Sequence, residues 1–135
     1  MTIKQLSIFL ENKTGRINDL TKILGKYGIN MHAFSMAETT DFGILRLIVS
    51  DVERAVEVLR NENFAVMLTD VVCISCPNVA GSLSEILDHL AKNDIFIEYM
   101  YAFAEGDKAN VVIHPNDLEK CVAELSKCSC NINKL

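Results

Sequence analysis

The segment Phe9-Leu10-Glu11-Asn12-Lys13-Thr14-Gly15-Arg16-Ile17 returns as Ser75-Cys76-Pro77-Asn78-Val79-Ala80-Gly81-Ser82-Leu83, 66 residues later and without a gap. The register then holds for a whole repeat: Leu20 falls on Ile86, Leu24 on Leu90, Ile29 on Ile95, Leu45 on Val111, Leu47 on Ile113 and Leu59 on Leu125. A chain of 135 residues is thereby two copies of one small module. Modules of about 65 residues sit near the lower size limit for an independent core. The pair is therefore expected to fold as one compact unit or to assemble further.

Within a copy, hydrophobic period sets the elements. Leu6, Ile8 and Leu10 alternate with Gln5, Ser7 and Phe9, the period-2 pattern of a half-buried strand. After a polar turn and Gly15, the spacing of Ile17, Leu20, Leu24 and Tyr27 predicts a helix with one buried stripe. Gly28 is placed to end it in a left-handed conformation. Strands are expected at 29–38 and 43–50, around a turn at 39–42. Asp51 should cap a helix carrying Val52, Ala55, Val56 and Leu59, and a closing strand should follow at 64–68. The second copy repeats the plan: strand 71–76, helix 81–93, strands 95–104 and 109–114, a helix begun by Asp117, and a short last strand at 130–133. Thr69 and Asp70 form the only joint, so the copies should be fixed against each other. The order β-α-β-β-α-β gives an α+β fold, two tandem ferredoxin-like domains with antiparallel sheets and helices on one face. The helix-free face carries Ile44, Arg46, Ile48, Val71, Cys73 and Val112. It is too apolar to stand wet, and a second chain is the expected cover.

Composition narrows the function. The formal net charge of −5 and the absence of Trp argue against nucleic acid, which demands a basic face. Half of the residues are hydrophobic (50%), yet no apolar run reaches the roughly 18 residues of a membrane span. No cationic stretch followed by an apolar run opens the chain, so no secretory leader is expected and the cytoplasm is the expected compartment. Five cysteines cannot all pair with one another, and reduced thiols are the expectation. Cys73 and Cys76 mimic a metal or redox motif, but residues three apart on a strand point to opposite faces. Cys76 should face the helices, Cys73 should face away, and Cys121 should lie in the core. No nearby His or Asp is expected to complete a zinc set with these or with Cys128 and Cys130. There is no nucleophile elbow, HExxH motif or phosphate-cradling glycine loop, so neither catalytic residue, metal nor cofactor is expected.

Function points instead at the turn before the first helix of each copy. Gly15 and Gly81 permit a sharp turn or a close approach to a ligand. The helix start beyond each offers unpaired N–H groups and a partial positive charge, which suit a carboxylate. Asn12 and Asn78 have two readings here: ligand contacts, or side chains that close the turn on themselves.

These residues resemble the ACT domain. Asn12-Lys13-Thr14-Gly15-Arg16-Ile17, followed by Gly28-Ile29-Asn30-Met31, is similar to that family's Asn-x-x-Gly-hydrophobic turn, helix, and Gly-hydrophobic-Asn-hydrophobic opening of the second strand. Pro77-Asn78-Val79-Ala80-Gly81-Ser82-Leu83 repeats the turn half. The resemblance covers nearly the whole chain as two tandem domains, 1–68 and 69–135. It implies a small regulatory module that binds an amino acid at a domain or subunit interface. The implied contacts are Asn12, Gly15, Arg16, Ile17, Asn30, Met31 and His32 in the first copy, and Asn78, Gly81, Ser82, Leu83, Ile97 and Glu98 in the second. The copies depart from each other where ligand contacts are implied: Asn30 against Phe96, His32 against Glu98, Arg16 against Ser82. Glu98 suits a ligand ammonium, and His114 is read as an ordinary strand-end residue.

The expectation is thus an amino-acid-binding sensor or regulatory protein. It should be a homo-oligomer, with a dimer the expected form, and its output should lie in a regulated partner or in assembly. The alternatives are a ligand-free dimerisation module and, with less support, a small metal-binding protein or enzyme on the same scaffold. Tyr99, Tyr101 and Phe103 alternate on one strand and should pack against a neighbouring copy or wall a ligand.

Overall fold

The computed structural model describes residues 2–38, 41–128 and 131–133, the last three by backbone alone. The expected turn residues Thr39 and Thr40, and Cys130, lie outside the described residues. The elements run β1 (Ile3–Glu11), α1 (Arg16–Lys26), β2 (Met31–Glu38), β3 (Phe42–Val49), α2 (Val52–Asn61), β4 (Ala65–Pro77), α3 (Ser82–Lys92), β5 (Ile97–Glu105), β6 (Lys108–Pro115), α4 (Leu118–Leu125) and β7 (Asn131–Asn133). The chain divides into two compact units, Lys4–Thr69, and Asp70–Leu135 with Met1–Ile3.

In the first unit β1 lies between β3 and β4, with β2 outside β3. In the second, β4 lies between β6 and β7, with β5 outside β6. The two units therefore share one strand order, that of the ferredoxin-like fold. Their registers agree to the residue. Leu6 pairs with Leu47 antiparallel in the first unit, and Val72 pairs with Ile113 in the second, each 66 residues on.

The alternation of β1 and β3 puts Leu6, Ile8, Leu10, Leu45 and Leu47 on the helix side, where Leu20, Leu24 and Leu59 cover them. The second core is built from their counterparts Val72, Ile74, Cys76, Val111, Ile113, Ile86, Leu90 and Leu125. Cys76 faces the helices as expected and Cys121 is core, while Cys73 is buried outside that cluster. The expected buried stripe on α1 is narrower than its spacing suggested. Leu20 and Leu24 carry it, whereas Ile17 and Tyr27 are 41% and 38% exposed. Tyr27 instead lies under the cations of Arg54 and Lys26, 5.2 and 5.5 Å from its ring centre.

Two further expectations change. The closing strand of the first copy and the opening strand of the second are a single element, β4. Its joint, Leu68-Thr69-Asp70-Val71, holds no glycine or proline, and its β-branched residues favour extended backbone. A second chain is also unnecessary for part of the helix-free surface. Val71, Cys73 and Val112 are 0% exposed and Ile48 is 3% exposed within the single chain.

Helices α2 and α4 begin alike. Asp51 accepts a hydrogen bond from the Arg54 N–H at 3.1 Å, and Asp117 accepts one from the Lys120 N–H at 3.1 Å. Each cap satisfies one of the donors that a helix start leaves without an intrahelical partner. Asp51→Ala and Asp117→Ala should each destabilise by about 1 kcal/mol, read from the urea midpoint. A loss at one site without the other would show that the two copies do not share this device.

Candidate ligand site

Helices α1 and α3 begin differently from α2 and α4. Each is entered through a glycine in the left-handed region, Gly15 at φ 84° and Gly81 at φ 91°, and neither start has a side-chain cap. Arg16 N–H reaches only Lys13 O, and Ser82 N–H only Val79 O, both at 3.3 Å. Among the described residues no side chain caps the first-turn N–H groups beyond them. Asn12 and Asn78 are exposed beside these turns and cap neither helix. At the first turn, the hydrogen bond and charge of Lys13, 2.7 Å from Glu11, hold the Glu11 carboxyl below the usual range.

The start of the edge strand is the other wall, and it carries a second duplicated irregularity. On β2 the register shifts between Met31 and Ala33, and on β5 between Ile97 and Tyr99. His32 and Glu98 are therefore the extra residues at equivalent positions. Such a shift re-aims the side chains after it. Met31 and Phe34 consequently share the helix side of β2, where strict alternation from Met31 would have put Ala33. Just before each strand, Asn30 and Ser50 exchange hydrogen bonds: Asn30 N–H to Ser50 Oγ, and Ser50 N–H to Asn30 O, both 2.9 Å. Phe96 and Asn116 repeat the exchange, at 2.9 Å and 3.0 Å. At position 30 this framework uses only the backbone, so the exposed Phe96 replaces Asn30 without breaking it.

In the first unit an open hollow of ≈ 350 Å³ lies between α1 and the β2 edge, lined by Ile17, Asn18, Thr21, Met31, Phe34 and Leu45. It brings together two of the expected residues, Ile17 and Met31. Thr21 follows from Ile17 by one helical turn, while Phe34 was hidden by the register shift. Arg16 is not in this lining; its guanidinium sits 4.0 Å over the Phe64 ring. His32 is exposed on the edge strand.

In the second unit Glu98 approaches His114 closely but without hydrogen-bond geometry. Glu98 Oε2 lies 2.9 Å from His114 Nδ1, and the His114 ring stacks on Tyr99 at 4.7 Å and 5°. His114 is thus more than an ordinary strand-end residue. Leu83 and Ile97 pack against the core, and Ser82 lines a separate cavity of ≈ 820 Å³ beside α3. That cavity also holds Cys76, Cys128, Asp88 and His89. His89 and Asp88 thus share this cavity with the two cysteines. No cluster of three metal-binding side chains exists among the described residues. His89 is instead tied to Glu124, whose carboxyl is held low by the hydrogen bond from Lys127.

The positive φ of Gly15 and Gly81 is the reason for glycine there, since a Cβ at either position meets nothing within 4 Å. Gly15→Ala and Gly81→Ala should each cost about 1–2 kcal/mol of stability, the left-handed penalty of an L-residue. Gly25, inside α1 with ordinary φ and equally open space, should become more stable by about 0.4–1 kcal/mol as Gly25→Ala. Denaturant melts of the three variants check both signs.

Comparison with known proteins agrees with the fold. Residues 1–128 match the family model described as an ACT domain pair. Among solved structures, protein BT0572 from Bacteroides thetaiotaomicron is similar at 50% identity and TM-score 0.95, over 98% of this chain and 92% of that one. The ligand-free regulatory subunit of aspartate kinase from Thermus thermophilus is similar in fold, at 13% identity and TM-score 0.68 over 93% and 91% of the two chains. The regulatory subunit of aspartate kinase from Thermus flavus is similar in fold at 14% identity and TM-score 0.63, over 92% and 90% of the two chains. No curated protein matches. No helix among the described residues is long and apolar enough to cross a membrane. The duplicated turn, the strand order and the family match over 1–128 together place the chain in the ACT domain pair family.

Proposed function

We propose that this protein is an amino-acid-binding regulatory protein, a sensor and not an enzyme. The observation that carries the reading is the contrast between helix starts. α2 and α4 are capped by aspartates, whereas α1 and α3 are entered through left-handed glycines with no side-chain cap. An α-carboxylate suits those free N–H groups and the positive end of the helix. Asn12 and Asn78 stand beside the same turns as polar partners for the amino acid head. In the first copy the apolar hollow at Ile17, Met31 and Phe34 suits the ligand's side chain. Ligand binding then shifts the population of assembled or partner-competent states, by as much as its affinity differs between them.

Assembly belongs to the same proposal. Phe9, Phe34, Phe42, Met67, Phe96 and Met100 remain between 42% and 62% exposed, more apolar surface than scattered single residues account for. A homodimer covering some of them is the expected form. The thiols of Cys76 and Cys128 fit the reducing cytoplasm.

Thermal-shift screening against the twenty L-amino acids tests the binding claim. One of them at a hundred times its dissociation constant should stabilise the protein by about 2.7 kcal/mol. Asn12→Ala together with Asn78→Ala should abolish the shift. Silence toward all twenty would remove the sensor reading. Separately, sedimentation at micromolar concentration should give a species larger than the 15.0 kDa chain, and a monomer would contradict assembly.

A further inference from the structure

Gly43 lies inside β3 with no positive φ, so no turn explains it. A glycine within a strand marks a bulge or a close approach, and here the approach is visible. A Cβ on Gly43 would stand 2.5 Å from Met36 Cε and 3.8 Å from Asn12 Oδ1. The methyl end of Met36 therefore occupies the notch that the missing side chain leaves, beside the candidate ligand residue Asn12. Met36 pairs with Leu45, which lines the hollow, while Gly43 pairs with Leu10 at the end of β1. Met36 thus stands between the hollow and the turn.

The second copy resolves the same place differently. Position 36 becomes Ala102, which pairs with Val111 as Met36 pairs with Leu45. Position 43 becomes Ala109, opposite Cys76 as Gly43 is opposite Leu10. The exchange is compensating: a long side chain over a glycine in one copy, two alanines in the other. Ala102 has no thioether arm to stand between Asn78 and the strand.

We propose that Met36 is the residue that sets the ligand affinities of the two copies apart. It bars the path from the Asn12 turn to the hollow in the first copy, and Ala102 places no such arm beside the Asn78 turn in the second. The inference rests on the amino-acid-binding reading above and adds which copy binds first. A bound amino acid spanning turn and hollow in the first copy must displace the Met36 arm. Methionine is flexible enough to allow this, and it is 48% exposed. Met36 is therefore a specificity-determining gate and not an absolute block.

The test is calorimetric titration of the intact protein with each of the twenty L-amino acids, repeated with Met36→Ala and with Ala102→Met. The wild type should bind one equivalent per chain tightly, with the second at least tenfold weaker. Met36→Ala should raise the weak site's affinity at least tenfold, and Ala102→Met should weaken the strong one by a similar factor. The Met36 Cε methyl resonance should move when the weak site fills. Binding that neither substitution alters, in proteins that melt like the wild type, would overturn the role of Met36 alone. No binding of any of the twenty to any of the three proteins would overturn the ligand reading and this inference with it.

Discussion

Each unit depends on covering one side of its two central strands. In the first, Leu6, Ile8, Leu10, Leu45 and Leu47 present a continuous apolar side that two helices must bury. At roughly 2–5 kcal/mol for each leucine cut back to alanine, these contacts dominate what a module of this size has available. To reach that side, α1 follows β1 after the turn at residues 12–15 and crosses its end. Gly15 makes the turn in the left-handed region. The left-handed glycine takes the cap position itself, so no side chain stands there to bond the helix start. The glycine turn thus leaves the uncapped start on which the function proposal rests.

Duplication shows which features follow from the fold and which are free to differ. The left-handed glycines, the aspartate caps, the register shift in the edge strand and the hydrogen-bond exchange before it all recur. Even the left-handed residue that ends the first helix recurs, as Gly28 at φ 68° and Asp94 at φ 59°. What differs sits around the turns. Arg16 lies over Phe64, Glu98 lies beside His114, and Met36 over Gly43 is replaced by Ala102 and Ala109. Selection for a common scaffold and separate tuning of two sites would leave this division.

Much of the fold could be read from the residues, because period-2 and helical spacing report burial directly. The core pairs Leu6 with Val72 and Leu59 with Leu125 follow from alternation and the repeat alone. The site was less legible. The register shifts at His32 and Glu98 depend on strand pairing across the sheet, so the alternation rule missed Phe34. The stacking of His114 on Tyr99 joins residues on different strands and has no local signal. The cavity that gathers His89 with Cys76 and Cys128 is likewise a tertiary product. Burial of Val112 was misassigned to a second chain because an apolar strand face does not say what covers it.

The central claim is that the uncapped starts of α1 and α3 receive an amino acid. Backbone amide NMR during titration with each of the twenty L-amino acids tests it most directly. The account predicts that at least one of them shifts the N–H signals of Ile17 and Asn18, or of Leu83 and Ser84, while Arg54 and Lys120, at the capped starts, stay still. Shifts confined to the cavity around His89 and Lys127, or none with any amino acid, would contradict it.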